Sequence, residues 1–119
     1  MLKKISNIGD CGITCDFGDE VNKTTNKEVI KLFNFVRDSV KTGKIKGILN
    51  YTPSYNKLII NFELGQIKSQ QIIEFIKSND YSKINLKENK NIVEVPICYD
   101  EEFALDLKRL EEKTKLNFN

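Results

Sequence analysis

The side chains of this sequence that could do chemistry are three cysteines, and the chain contains no histidine. Without histidine there can be no Ser-His or Cys-His nucleophilic pair and no imidazole-containing zinc site. Cys11 and Cys15 do not form a C-x-x-C motif, so neither a redox pair nor a zinc pair is indicated. A complete hydrolytic site would then need a Lys base or paired carboxylates, and no local pattern in the sequence suggests either. We therefore predict no catalytic residue and no metal site. Free thiols are expected at Cys11, Cys15 and Cys98, with a reactive thiol as the alternative.

Composition indicates a soluble globular protein. The chain has 119 residues, which suit one domain, or one domain plus the start of another, and it is 39% hydrophobic and 30% charged. We expect a cytoplasmic location and no membrane partner, because there is neither an apolar run of about 20 residues nor a signal-peptide pattern. The net charge of +2 and the presence of only two arginines, Arg37 and Arg109, argue against nucleic acid as a partner.

A predicted hairpin at residues 46–63 is the centre of the chain. Its apolar, β-branched and aromatic residues are typical of strands, and Pro53 and Ser54 mark the turn between them. A two-stranded hairpin is marginal in water by itself. Other elements must therefore cover one of its faces.

The elements before the hairpin are two strands and a long helix. Residues 3–8 form a candidate strand, and residues 13–17 alternate so that Ile13, Cys15 and Phe17 face a core. A helix is predicted over residues 23–42, with Asn22 or Thr25 as its N-cap and Gly43 as its terminator. Its apolar stripe consists of Val29, Leu32, Phe33, Val36 and Val40.

The elements after the hairpin are a helix, a strand and another helix. Ser69 is the expected N-cap of a helix over residues 70–78, and a polar connector follows over residues 79–91. Residues 92–99 predict a strand, which Pro96 restricts to a sheet edge or a bulge. Asp100 is the expected N-cap of a third helix, whose stripe consists of Phe103, Leu107 and Leu110.

This order predicts an α+β fold. The predicted fold is a ferredoxin-like βαββαβ two-layer sandwich, that is, an antiparallel sheet with helices on one face. An extra N-terminal strand and a C-terminal helix are expected in addition. We expect residues 1–91 to form the ferredoxin-like domain. Residues 92–119 are then a strand and a helix that follow it, although that strand could instead complete the first sheet.

Three segments resemble one protein family in order. Residues 9–20 (GDCGITCDFGDE) resemble its opening G-D-x-x-x-x-x-x-F-G-D/E pattern, and residues 53–60 (PSYNKLII) resemble its hairpin P-x-Y-R-S-L-L-V. Residues 93–107 (VEVPICYDEEFALDL) resemble its most specific motif, V-E-I-P-V-C-Y-G-G-E-F-G-P-D-L. The family is that of allophanate hydrolase subunit 1, also called the KipI family, which includes the B subunit of bacterial 5-oxoprolinase. Asn56 replaces the usual Arg of the hairpin motif, and Asp100-Glu101 replaces Gly-Gly.

The resemblance implies a non-autonomous subunit whose reacting groups lie elsewhere. Members of the family are longer and continue into a cyclophilin-like barrel, into which residues 92–119 would lead. Such a protein pairs with a carboxyltransferase-like partner, called subunit 2 or the C subunit, to open 5-oxoproline or hydrolyse allophanate. The resemblance implies no cofactor in this chain, whereas the full 5-oxoprolinase complex uses ATP.

Two other functions remain open at this point. KipI-like members inhibit a sensor histidine kinase by protein–protein contact, and a free-standing ligand-binding or regulatory module would have the same fold class. The candidate interface residues are Tyr51, Pro53 and Tyr55, because exposed tyrosine can anchor an interface. The alternative for Pro53 and Tyr55 is that they only fix the turn.

Overall fold

The computed structural model describes residues 2–86, 93–98 and 100–116. The chain divides into two compact units, Met1–Glu88 and Asn89–Asn119. Among the residues that the structure describes, unit 1 contains four strands and two helices, and unit 2 contains a 3-10 turn and one helix. None of the helices in the described residues is long and apolar enough to cross a membrane.

Unit 1 is built on one antiparallel sheet. Its strands are β1 (Lys4–Ile8), β2 (Gly12–Asp16), β3 (Ile48–Pro53) and β4 (Lys57–Phe62). The strand order is β1-β2-β4-β3, so β1 and β3 are the two edges. The predicted hairpin is therefore confirmed, with β3 and β4 joined by the turn after Pro53.

One face of the sheet forms the core. In β2 and β4, Ile13 pairs with Ile60 and Cys15 pairs with Leu58, and all four are fully buried. Residues between them point to the other face, because side chains alternate along a strand. Ile59 of β4, for example, is 38% exposed. The predicted inward-facing residues Ile13, Cys15 and Phe17 are all buried, which confirms that prediction.

Helix α1 (Lys23–Lys41) follows the predicted bounds closely. The Asn22 side chain caps it by accepting a hydrogen bond of 2.8 Å from the backbone N–H of Thr25. Gly43 adopts a φ of +71° just beyond its end, a conformation that glycine adopts without strain. Of the predicted stripe, Val29, Leu32 and Val36 are buried, and Phe33 and Val40 are partly buried against the core.

Helix α2 (Ser69–Ser78) begins one residue earlier than predicted. Ser69 is its first residue, and Lys68 occupies the N-cap position. The Gln71 side chain accepts a hydrogen bond of 2.9 Å from the Lys68 backbone N–H, which is the half of a capping box that the third helical residue supplies. Ile72 and Ile76 bury the inner side of α2.

Unit 2 differs from its prediction. Residues 93–98 form no strand, and the helix predicted from Asp100 is a 3-10 turn, Glu101–Phe103, followed by α3 (Leu107–Thr114) with Asp106 at its N-cap. Side-chain alternation stabilises a strand only where a neighbouring strand accepts its hydrogen bonds, and residues 93–98 have no such neighbour among the described residues. Ile92 and Tyr99, the ends of the predicted strand, lie outside the described residues.

The sheet explains why the ferredoxin-like motif is incomplete. In a split β-α-β arrangement the last strand would lie beside β2. Both sides of β2 are already paired, one with β1 and the other with β4. The extra N-terminal strand thus occupies the place that residues 92–99 would take if they completed the first sheet, which was one of the two alternatives for them. The observed fold is a mixed α/β unit with a four-stranded antiparallel sheet, and the described chain has three helices.

Candidate interface at the hairpin turn

The turn between β3 and β4 is held by backbone hydrogen bonds. The Ser54 N–H donates to the Lys57 carbonyl oxygen at 2.8 Å, which closes the turn. The Asn56 carbonyl oxygen accepts from the Phe17 N–H at 3.0 Å, which ties the turn to the chain just after β2. These bonds fix the backbone of the turn, so its side chains project from a rigid support.

Helix α1 also holds the turn, through one side chain. The Asn26 amide lies 3.3 Å from both the Ser54 and the Tyr55 carbonyl oxygens and donates to them. An asparagine in the first turns of a helix can reach main-chain groups outside the helix. Asn26 therefore joins the start of α1 to the tip of the hairpin, two segments far apart in sequence.

Two large side chains stand exposed beside this junction. Tyr55 is 70% exposed and Val21 is 65% exposed. They line a shallow cleft of about 280 Å³ together with Asn22, Lys23 and Asn26. An exposed aromatic and an exposed aliphatic side chain on a rigid support are typical of a protein-binding surface. We call Val21, Asn26 and Tyr55 the turn surface.

An acidic side chain stabilises the loop that leads to α1. Asp16 accepts a hydrogen bond of 2.8 Å from the Gly18 backbone N–H and pairs with the Lys57 ammonium at 3.0 Å. The Gly18 hydrogen bond and then Lys57 lower the pKa of this carboxyl below its ordinary value. The carboxylate thus fastens β2 to β4 and fixes the first residues of the loop.

The three predicted interface residues occupy different environments. Tyr51 pairs with Ile60 across the hairpin and is half-buried, and its ring meets the Phe33 ring edge-on at 5.5 Å. Pro53 ends β3 opposite Leu58, on the same helix-facing side, and is half-buried. Of the three, only Tyr55 is mainly exposed. Tyr51 and Pro53 support the hairpin, and the interface role of all three stays a prediction.

The arrangement offers little for covalent chemistry. Burial raises the pKa of the Cys15 thiol to about 12, which leaves it protonated and poorly nucleophilic at neutral pH. The described residues contain no group of three or more His, Cys, Asp or Glu side chains that could hold a metal ion. The turn surface presents exposed side chains on a backbone held by hydrogen bonds, an arrangement that suits the binding of another molecule.

Sequence reasoning missed Val21 and Asn26. In a hydrophobic staple, an apolar residue just before the N-cap packs on the fourth residue of the helix. Here these positions are Val21 and Asn26, an apolar and a polar residue, so no staple can form. That mismatch was visible in the sequence and predicts an exposed Val21, which is what the structure has. The Asp16–Lys57 pair depends on strand register and had no local signal.

Two comparisons with known proteins agree on the family to which the chain is similar. The family model described as "Carboxyltransferase domain, subdomain C and D" matches residues 3–119. The B subunit of 5-oxoprolinase from Bacillus subtilis (strain 168) is 25% identical over 125 aligned residues, covering 96% of this chain and 49% of that protein. The chain therefore spans about half the length of this relative. These matches confirm the resemblance that the sequence motifs indicated.

A solved structure shares the fold. The conserved uncharacterized protein PH0987 from Pyrococcus horikoshii superposes with a TM-score of 0.53 at 19% identity. The superposition covers 63% of this chain and 33% of PH0987. At this identity the likeness supports the fold alone.

Proposed function

Since the chain belongs to the carboxyltransferase domain family, subdomains C and D, we propose that it forms part of a subunit of a 5-oxoprolinase-like complex. In this proposal the chain provides scaffold and contact surface, and the reacting groups lie outside its 119 residues. ATP would be used by the whole complex, with no cofactor held by this chain. The single observation that supports the proposal is the alignment to the B subunit of a 5-oxoprolinase over 96% of the chain.

The chemistry of the chain agrees with a supporting role. No histidine is available as a general base, and the one cysteine in the core is kept protonated by burial. Opening a lactam or hydrolysing an amide requires an activated nucleophile or water. We infer that the chain alone does not turn over 5-oxoproline or allophanate.

The partner in this proposal is a second, carboxyltransferase-like protein. The turn surface is where we expect part of that contact, because Tyr55 and Val21 are exposed there on a backbone fixed by Asn26. An exposed tyrosine loses little side-chain entropy on binding and gains a large contact area, so it is a natural anchor. The sequence relation favours 5-oxoproline over allophanate as the substrate of the complex.

The test combines an activity assay with co-purification. The purified chain is incubated with ATP and 5-oxoproline, and separately with allophanate, and we expect no product in either case. The tagged chain is then used to recover a carboxyltransferase-like second subunit from the same organism. Turnover by the chain alone would refute the supporting role, and recovery of a sensor histidine kinase without that subunit would support the inhibitor function instead.

Paired surface variants locate the contact. Tyr55→Ala should weaken binding of the second subunit about tenfold or more, the usual effect of losing an interface anchor. Leu64→Ala is the matched control, because Leu64 is also an exposed large apolar residue but lies beyond the end of β4, away from the turn. If Tyr55→Ala and Leu64→Ala bind the second subunit with equal affinity, the turn surface is not part of the interface.

A further inference from the structure

Residues 80–86 follow α2 and contact both flanks of α1. On one flank the Tyr81 ring lies 6.3 Å from the Phe35 ring of α1. On the other flank Leu86 lines a cleft together with Ile30 of α1. Because each residue of a helix turns by about 100°, Phe35 lies about 140° around α1 from Ile30. The segment therefore passes from one side of α1 to the other.

The crossing runs over the solvent side of α1. The opposite side is closed to it, because Val29 and Val36 are buried there in the core. Lys31 lies on the solvent side between the two flanks, yet its side chain, which pairs with Glu28 at 2.8 Å, is only 23% exposed. Lysine on an open helix surface is mostly exposed, so this low exposure is what a segment lying over it would produce. We call residues 80–86 the strap.

Tyr81 anchors the strap to the core. Within the described chain, it is the strap residue that packs against the buried core cluster. Burial raises the pKa of its hydroxyl to about 12, which agrees with a side chain withdrawn from water. The Phe35 ring that it contacts also stacks on Phe75 of α2 at 5.3 Å. Tyr81 thus joins the strap to both helices of unit 1 through one aromatic cluster.

The hydrogen bonds of the strap are internal. Among the residues that the structure describes, they join residues of the strap to one another. The Ile84 N–H donates to the Tyr81 carbonyl oxygen at 3.2 Å. The Ser82 N–H and hydroxyl donate to Asp80 at 3.0 and 2.6 Å, and the Lys83 ammonium lies 3.6 Å from the same carboxylate. The strap can therefore leave α1 without breaking a hydrogen bond of a helix or of the sheet, so its opening costs less than unfolding of the unit.

We propose that the strap opens and closes over α1, with Tyr81 as the residue that holds it closed, while the sheet and the two helices of unit 1 stay folded. Closed, the strap holds Leu86 beside Ile30. Open, it leaves Leu86 tethered only to Asn79, the C-cap of α2, within a reach of about 25 Å at about 3.3–3.6 Å per extended residue. The strap thus sets how far the chain after it extends from α2. The proposal is independent of the function proposed above.

Limited proteolysis of the 119-residue chain tests the proposal. Trypsin cleaves after Lys83, whose side chain is 87% exposed, once the backbone around it has opened, and mass spectrometry identifies this cleavage. When opening is fast relative to cleavage, the cleavage rate follows the population of the open strap. Tyr81→Ala removes the buried ring and should raise the rate about tenfold or more. Tyr81→Phe keeps the ring and should stay near the wild-type rate.

Tyr51→Ala is the matched control. Tyr51 is also half-buried, and its ring contacts Phe33 of α1 at 5.5 Å, but it forms none of the strap contacts described above. Its truncation destabilises unit 1 and leaves the strap alone, so cleavage after Lys83 should change less than about twofold. An equal rise in Tyr51→Ala and Tyr81→Ala would mean that cleavage requires unfolding of the whole unit. Either that result or an unchanged rate in Tyr81→Ala would overturn the proposal.

Urea separates opening of the strap from unfolding of the unit. Opening of the strap exposes little surface, so the rate of cleavage after Lys83 should hardly change at low urea concentrations. Cleavage through unfolding of the whole unit would instead rise steeply with urea, because much more surface is exposed. Cleavage of a short peptide measures the effect of urea on trypsin itself. A steep rise from the lowest urea concentration would contradict a strap that opens by itself.

Discussion

Adjacent residues of β4 should respond very differently to the same truncation. Leu58 is fully buried between Cys15 of β2 and Pro53 of β3, whereas Ile59 points to the opposite face and is 38% exposed. Leu58→Ala removes buried methyl groups and leaves a cavity, which costs about 2–5 kcal/mol. Ile59→Ala opens no enclosed cavity and should cost about 1 kcal/mol, mainly through lost strand preference.

The effect of Leu58→Ala is large relative to the stability of the unit. Unit 1 ends at Glu88, and a domain of that size is stable by about 5–10 kcal/mol. Urea unfolding followed by circular dichroism gives the midpoint and the slope of the transition. With a slope of about 1–1.5 kcal/mol per molar urea, Leu58→Ala should lower the midpoint by roughly 1.3–5 M, and Ile59→Ala by about 1 M or less. Equal shifts, or a larger shift for Ile59→Ala, would refute the register on which the fold rests.

Three further predictions concern the loop after β2, the core thiol and a glycine with a positive φ. Because the pKa of Asp16 is lowered in the folded chain, its carboxylate stabilises the fold fully above the ordinary carboxyl pKa, and this stabilisation is lost as pH falls through the folded pKa. Asp16→Asn should therefore flatten the acid side of a plot of unfolding free energy against pH. An unchanged plot would contradict the pair with Lys57. A thiol reagent should label the two exposed cysteines of the native chain and reach Cys15 only on unfolding, so rapid labelling of three thiols would contradict its burial. Gly47 has a φ of +83°, and a Cβ there would meet Ile67 Cγ2 at 2.9 Å, so Gly47→Ala should lower the melting temperature by several degrees. Gly65 has open space around it, so Gly65→Ala should change the melting temperature little. Similar melting temperatures for the two variants would contradict the close approach at Gly47.

Local signals predicted the helices of unit 1 and the hairpin well. Asn22 and Gly43 mark the two ends of α1, and they could be predicted because capping depends on a few neighbouring residues. The inward face of β2 follows from the alternation of apolar and polar residues. The start of α2 was missed by one residue because Lys68 occupies the N-cap position, where its backbone N–H donates to the Gln71 side chain. This hydrogen bond is local, but several nearby side chains could have formed it, so the sequence did not single out Gln71.

Long-range pairing was beyond local signals. The sequence pattern of residues 92–99 is that of a strand, yet its partner had to be inferred, and β1 holds the place beside β2. The candidate site shows the same limit. Tyr51 and Tyr55 have the same chemistry in sequence, but only strand register and the contact with Phe33 separate a supporting side chain from an exposed one.

The most direct test of the proposed function is a calorimetric titration of the chain with a purified carboxyltransferase-like second subunit. We predict saturable binding in a fixed ratio, weakened about tenfold or more by Tyr55→Ala and unchanged by Leu64→Ala. An absence of heat and of complex with the folded wild-type chain would contradict a role as part of a subunit in such a complex.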